Sequence, residues 1–446
     1  MLTRRGFVRT GLALFVAPTV LALGPACAVL PGAQSPSAPP AGPDNGAQSG
    51  TLQVAWWGGN DRAERTQKVM DQFSARFTQW KFNSSFTNFF AYWDKINTQA
   101  AGGGLPDVFQ MDMRYIGQFV SKKLVLDMSR FTDTALNLKD FDEGLLSQGK
   151  LEGGLYGIPL GGIVQATVYD KTAIQEAGMT LPTGTETWAD YAAYCQKLSK
   201  ALPRGVYASD DESINIDPFE VFIRQRSKEL YTADGKANFT RQDLVDWLQY
   251  WADLRQAGAT VPPDVAAAFF QNDTPETTPL VQGKAVFKMR WTNFLGQYQP
   301  LTKHELVMMP NPAGPSGTRP GAYLKAGSLF SISAKTGFAQ GAASFVGFFN
   351  TDPEAVKVLG LERGVPGSAK ARETLKPVLN PNDAVQLEYF NQQTKNTTAK
   401  TVLDPPGAGE FQKALARNAL SIPLSGVSVG EAADKLLAEA TKALSA

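Results

Sequence analysis

The architecture of the chain first shows in Leu52-Gln53-Val54-Ala55-Trp56-Trp57-Gly58-Gly59-Asn60-Asp61. Six residues of strand character meet two glycines that break the strand, and Asp61 offers an N-cap to a helix. The residues after it place Val69, Met70, Phe73 and Phe77 on one helical face. The unit then repeats. A strand over 80–86 precedes a helix over 91–101, which Gly102-Gly103-Gly104 ends; a strand at 107–111 leads to a helix near 114–123. Strands alternating with helices at this spacing predict βαβ units and a mostly parallel sheet.

Outward from there, strands are expected at 164–169, 285–290, 306–309 and 327–333, and a helix at 339–350. Residues 172–258 and the last hundred read as helical. A body of about 400 residues exceeds what one core usually fills, so two α/β lobes are expected.

The 446 residues carry 43 Lys+Arg, 42 Asp+Glu and one His, a formal charge of +1. That leaves no basic footprint for nucleic acid. Hydrophobic content of 43% is that of a globular protein. Two cysteines, Cys27 and Cys195, make neither a disulfide framework nor a cysteine zinc site, and His304 alone rules out a multi-histidine one. Cys195 lies in a helical pattern and reads as a small buried hydrophobe.

Residues 1–30 read as an export signal, with Arg4, Arg5 and Arg9 ahead of an apolar run from Gly11 to Leu23 too short to span a bilayer. Thr3-Arg4-Arg5-Gly6-Phe7 resembles a twin-arginine signal; a plain secretory signal with a chance arginine pair is the alternative. Leu23-Gly24-Pro25-Ala26-Cys27 resembles a lipobox with Cys27 as the lipidated residue, although Gly24 departs from its usual Leu, and an ordinary cleavage site also fits. Residues 31–50, rich in Pro, Gly, Ala and Ser, suit a tether. Without residues 1–50, which hold three Arg and one Asp, 40 cationic and 41 anionic residues remain, a net charge of −1.

In open α/β sheets, ligands sit outside the carboxyl ends of the strands. Those ends share one character here: Trp57-Gly58-Gly59-Asn60, Phe86-Thr87-Asn88, Met111-Asp112-Met113-Arg114 and Arg290-Trp291-Thr292-Asn293. Large apolar, usually aromatic residues beside Asp, Asn and Arg suit a flat, hydroxyl-rich ligand.

Several segments in this order resemble the bacterial extracellular solute-binding protein family 1, the carbohydrate receptors of ABC importers, similar in kind to maltose-binding protein. They include Gly102-Gly103-Gly104-Leu105-Pro106-Asp107-Val108-Phe109 with Asp112, Tyr156-Gly157-Ile158-Pro159 and Val168-Tyr169-Asp170-Lys171. Gly283-Lys284-Ala285-Val286-Phe287-Lys288-Met289 with Trp291, Gly327–Ser333 and Gly364-Val365-Pro366 complete the set, which spans nearly all of 51–446. The resemblance implies a two-lobed periplasmic-binding-protein type II fold of α/β class, with hinge crossovers near Tyr156–Gly162, Met309–Pro312 and Thr351–Pro353. Lobe one would be 51–160 plus 312–352, and lobe two 161–311 plus 353–446. It implies a monomer that delivers a mono- or oligosaccharide to ABC importer membrane subunits, with no cofactor, no metal and no catalysis. Its place would be the cell envelope, anchored through Cys27.

The candidate ligand-binding residues are Trp57, Gly58, Asn60, Asn88, Asp112, Arg114, Gln165, Trp291, Asn293, Gly327, Ser328 and Arg363. Trp56 and Trp57 point oppositely on a strand, and Trp57 is the one expected in the cleft. Gly58 would let the backbone approach the ligand. Asn60 and Asn88 offer hydroxyl contacts at strand ends. Asp112 reads equally as an N-cap. Arg114, if it faces the cleft, could hold a carboxylate, and the ligand would then be a uronate. Gln165 follows the Gly161-Gly162 hinge. The resemblance makes Trp291 a stacking residue with Asn293 in the same loop, and puts Gly327 and Ser328 on a cleft strand. Arg363 reads also as a helix C-terminal cation. The acidic segment Ser209–Glu220 reads as a solvated turn. An exported glycan hydrolase using Asp112 and Glu220, or a receptor for a polyamine or metal ion, are the competing classes.

Overall fold

The computed structural model describes residues 48–397 and 402–445; the export signal, Cys27 and most of the tether lie outside them. Its strands are β1 (Gly50–Trp57), β2 (Trp80–Thr87), β3 (Val108–Met111), β4 (Lys150–Leu151), β5 (Gly154–Leu155), β6 (Ile158–Ile163), β7 (Gln165–Asp170), β8 (Tyr207–Ser209), β9 (Ala285–Trp291), β10 (Leu306–Met309) and β11 (Lys325–Ile332). Two main sheets form, in the orders β2-β1-β3-β11-β6 and β10-β7-β9-β8, and β4 and β5 make a small hairpin. The result is a two-lobed α/β fold.

Alternation along β1 builds the first lobe. Leu52, Val54 and Trp56 face Val69, Met70 and Phe73 of α1 (Asn60–Arg76), with Phe345 and Phe349 of the helix Ala339–Thr351. Ala55 and Trp57 face the opposite layer, made by Tyr92 and Trp93 of α2 (Phe89–Gly102) and by Ile116 and Phe119 of α3 (Met113–Ser121). Each such side chain contributes about 1.5–3 kcal/mol when fully buried, so these two layers fix which face of β1 is which. In the second sheet, Tyr169, Phe287 and Met289 pack on Trp188, Tyr191 and Trp247, while Ala166 and Val168 join Tyr298 and Leu306 on the other face. Cys195 is buried in the former cluster.

The sheets are less parallel than the alternation predicts. β1 is parallel to β2 and β3, but β11 runs antiparallel to both of its neighbours. In the second sheet only β8 and β9 are parallel. Helical crossovers over 58–107 give parallel neighbours. β11 instead returns from the second sheet and enters between β3 and β6 from the other end. β7 follows β6 with only Val164 between them, so one continuous run of extended chain serves both sheets.

A second segment crosses beside that junction. Gly162 and Val365 exchange backbone hydrogen bonds of 2.6 and 2.9 Å. A Cβ at Gly161 would stand 2.8 Å from the Arg363 carbonyl oxygen, and Gly364, at φ 111°, would bring one to 2.6 Å from that of Gly162. Only glycines let these chains lie so close. The crossover expected at Thr351–Pro353 does not change lobes there: Asp352 caps the next helix, and Ala355 stays in the core of the first sheet.

The acidic segment is not a solvated turn. Asp210, Asp211 and Glu212 are fully buried. Lys288 pairs with Asp210 and Glu212 at 2.7 and 3.2 Å, and Arg255 pairs with Asp211 at 2.7 Å. Partners distant in sequence let these carboxylates leave water.

Candidate functional site

The carboxyl ends of β1, β3, β6 and β9 and the amino end of β11 converge on one cleft. β1 delivers Trp57, whose ring meets Phe89 edge-on at 5.4 Å. Gly58, at φ 148°, comes next; a Cβ there would lie 2.4 Å from the Arg62 side chain, so the glycine leaves room for Arg62 to fold back onto the strand end. The Arg62 guanidinium donates to the Trp57 carbonyl at 2.9 Å.

β3 delivers Asp112, which caps α3 by accepting from the Arg114 amide at 2.9 Å. It also accepts from the Arg114 guanidinium and the Lys325 ammonium at 3.5 and 3.3 Å. Arg114 reaches further, to Asp217 on the helix Ile216–Arg224 of the second lobe. The indole N–H of Trp291, at the end of β9, donates to the other oxygen of Asp217 at 2.7 Å. Lys325 lies 5.2 Å from the centre of that indole ring. Arg290 pairs with Asp273. On the remaining side Arg62 and Arg363 share Glu362, at 2.7 and 3.2 Å, and Arg363 donates to Thr66 at 2.7 Å.

Burial would push the Asp217 carboxyl up, but Arg114 and Lys325 outweigh it and hold its pKa below the usual range. Burial likewise opposes the charge on Arg114, and Asp217 and Asp112 overcome it, raising its pKa. Arg363 fares differently: burial pulls it down to about 9 despite Glu362. The Asp217 carboxylate is thus held among Arg114, Lys325 and the Trp291 indole. Indole faces among fixed charges are equipped to hold a polar ligand.

Of the residues expected from sequence, Trp57, Gly58, Asp112, Arg114, Trp291, Asn293, Gly327 and Arg363 line the cleft. Four do not. Asn60 opens α1 and is exposed. Asn88 is engaged as the cap of α2, accepting from the Ala91 amide at 3.0 Å. Gln165, opposite Trp291 in the β7–β9 pairing, donates its side-chain amide to the Asp217 carbonyl at 3.4 Å and lines a separate cavity with Asn311. Ser328 follows Gly327 at a bulge in the pairing of β11 with β6, and it does not line the cleft. Reading the sequence missed Arg62, Asp217 and Lys325, and placed Arg290 only within a strand-end segment, not among the candidate residues. Lys325 and Arg290 sit in apolar strands, where an inward charge was the available signal.

A family model described as bacterial extracellular solute-binding protein matches residues 68–380. Among solved structures, an extracellular solute-binding protein family 1 from Alicyclobacillus acidocaldarius is 29% identical, with a TM-score of 0.63 over 90% of this chain and 99% of that one. A periplasmic oligogalacturonide binding protein from Yersinia enterocolitica, in complex with saturated digalacturonic acid, is 22% identical, with a TM-score of 0.78 over 89% and 98%. An ABC substrate-binding protein from Listeria monocytogenes, in complex with cycloalternan, is 15% identical, with a TM-score of 0.73 over 89% and 99%.

Proposed function

The chain belongs to the bacterial extracellular solute-binding protein family, and from that premise we propose that its cleft captures a carbohydrate, in particular an oligosaccharide, for an ABC importer. The observation that carries this reading is the pairing of Trp57 and Trp291 with Asp112, Arg114 and Asn293 around one cleft. Indole rings cover the apolar face of a sugar, and the polar groups bond its hydroxyls. Structural relatives in complex with saturated digalacturonic acid and with cycloalternan support a saccharide of more than one unit.

In this reading the lobes turn about the junction at Gly161–Val164, against which Arg363–Val365 is packed. A ligand touching both lobes stabilises the closed form by the contacts it makes only there. The importer's membrane subunits then read the closed shape. A monomer suffices for this, and no bond of the ligand changes. The tether and Cys27 would keep the receptor at the membrane through a lipid.

Thermal unfolding against a panel of neutral, oligomeric and acidic saccharides tests the reading. Saturation at 100 times Kd stabilises by about 2.7 kcal/mol, enough to raise the midpoint by a few degrees. A shift with a saccharide, and intact saccharide recovered, supports it. No shift across the panel, with shifts from amines or ions, refutes the carbohydrate assignment, and cleaved saccharide refutes the receptor.

A further inference from the structure

The charges of the cleft do not cancel evenly. Arg114 and Lys325 face Asp112 and Asp217, and Arg290 faces Asp273. Arg62 and Arg363 have only Glu362 between them. All three are buried, so one of the two positive charges has no buried carboxylate of its own. Nearby Arg65 is paired with Asp61 at the surface.

Three further observations fall at the same place. α1, 17 residues long, begins there with Gly59 as N-cap and no side chain on its first amides. Gly58 and Gly59 line the cleft. The Nε of Arg363, a residue 4% exposed, has no acceptor. Unmet acceptors stand close by. Asn293 donates its amide N–H to the Glu362 carbonyl at 3.1 Å, which fixes its orientation and leaves its Oδ1 unpartnered. Gln412 lines the cleft with its Oε1 likewise unpartnered.

Donors without acceptors and acceptors without donors, in one wall, ask for a ligand bearing both an anion and hydroxyls. Resting on the carbohydrate reading, we infer that the ligand is a uronic-acid-containing saccharide, whose carboxylate docks at the N-terminus of α1 against Arg62 and Arg363. A helix N-terminus favours an anion, and guanidinium groups bind carboxylates through charge-assisted hydrogen bonds. A single negative charge answers the one cation that lacks a buried carboxylate; a phosphate would bring up to two. Glu276 of the opposite lobe stands at the rim, its oxygens 3.6 and 3.7 Å from where a Gly59 Cβ would be. It is exposed, and it narrows the approach for a second anionic group. The ester of the same sugar keeps the shape and loses the charge, so the site would distinguish the two.

Titration calorimetry of the whole protein with digalacturonic acid, its dimethyl ester, a neutral disaccharide and a sugar phosphate tests this. The expected result is that the acid binds at least about tenfold more tightly than its ester. Arg363→Gln should lower the affinity for the acid at least about tenfold and narrow its advantage over the ester, whereas Arg363→Lys, which keeps a positive charge, should retain more of that advantage. Ester or neutral disaccharide binding as tightly as the acid overturns the inference and leaves the carbohydrate reading standing. Preference for the sugar phosphate overturns the inference too. Failure of every saccharide to bind overturns both.

Discussion

Arg114 and Asp217 form a buried ion pair between the two lobes, with the guanidinium on α3 and the carboxylate on the helix Ile216–Arg224. The pair lies in the wall of the cleft, so protein charges hold the lobes together where a ligand would hold them. Breaking a buried pair by removing one partner leaves an uncompensated charge, at a cost of about 3–5 kcal/mol if the site stays dry. Opening the cleft to water relieves that cost. Asp217→Asn should therefore enlarge the ligand-free protein in small-angle scattering. An unchanged radius of gyration together with an unchanged unfolding midpoint would show that the pair does not hold the lobes.

Acid should weaken the fold through two identified carboxyls. Burial would raise Asp217 and Glu362, but Arg114 in the one case and Arg62 with Arg363 in the other hold both below the ordinary range. A depressed folded pKa stabilises above the unfolded value of about 4 and loses that contribution as pH falls through the folded one. Stability measured by urea unfolding should be level between about pH 5 and 7 in this respect, and fall below about pH 4. Asp217→Asn should flatten the fall; an equally steep acid slope in the variant would assign it to other groups.

Trp291 combines a ring, a donated hydrogen bond and a neighbouring cation. Trp291→Phe keeps most of the ring and loses the bond to Asp217, while Trp291→Ala loses both. Calorimetry should show a small loss of ligand affinity for the first and a loss of about tenfold or more for the second. Equal affinities for all three proteins would remove Trp291 from the binding surface.

Cys195 should be silent. It is fully buried, and burial pushes its thiol well above the ordinary range despite a hydrogen bond with Tyr191. The thiolate is the reactive form. Maleimide at pH 7 should leave the Cys195 peptide unlabelled in the native protein and label it in urea, as read by peptide mass mapping. Native labelling at the rate of a free thiol would contradict its burial.

The first lobe was legible because its signals are local. An apolar period and a glycine break need only a dozen neighbouring residues to be seen, and β1 to α3 obey them closely. Strand-end residues such as Trp57, Asp112 and Trp291 were legible for the same reason. Asp217 was not. It sits in an acid-rich segment, and Arg114, 103 residues earlier, with Lys325 and Trp291 later in the chain, lets its charge be buried. Arg62 was hidden inside a helix whose polar face looks solvated; its pairing with Glu362 spans 300 residues. Charge pairing at such separations is a product of the fold, whereas periodicity precedes it. Gln165 sits beside Trp291 on the neighbouring strand, and its amide is engaged by the Asp217 carbonyl, a partner 52 residues away that no local pattern shows.

The crossing of Arg363-Gly364-Val365 over Gly161 and Gly162 ties two properties that natural selection could otherwise tune apart. Under the proposed function, the residue that would meet the ligand and the residues packed on the bend are neighbours in one short peptide. A replacement at 363 that shifted its backbone would disturb a contact too tight for any added carbon atom. Descendants of this gene that change diet should accordingly diverge first at Trp57, Asn293 and Gln412, and keep residues 363–365 until last.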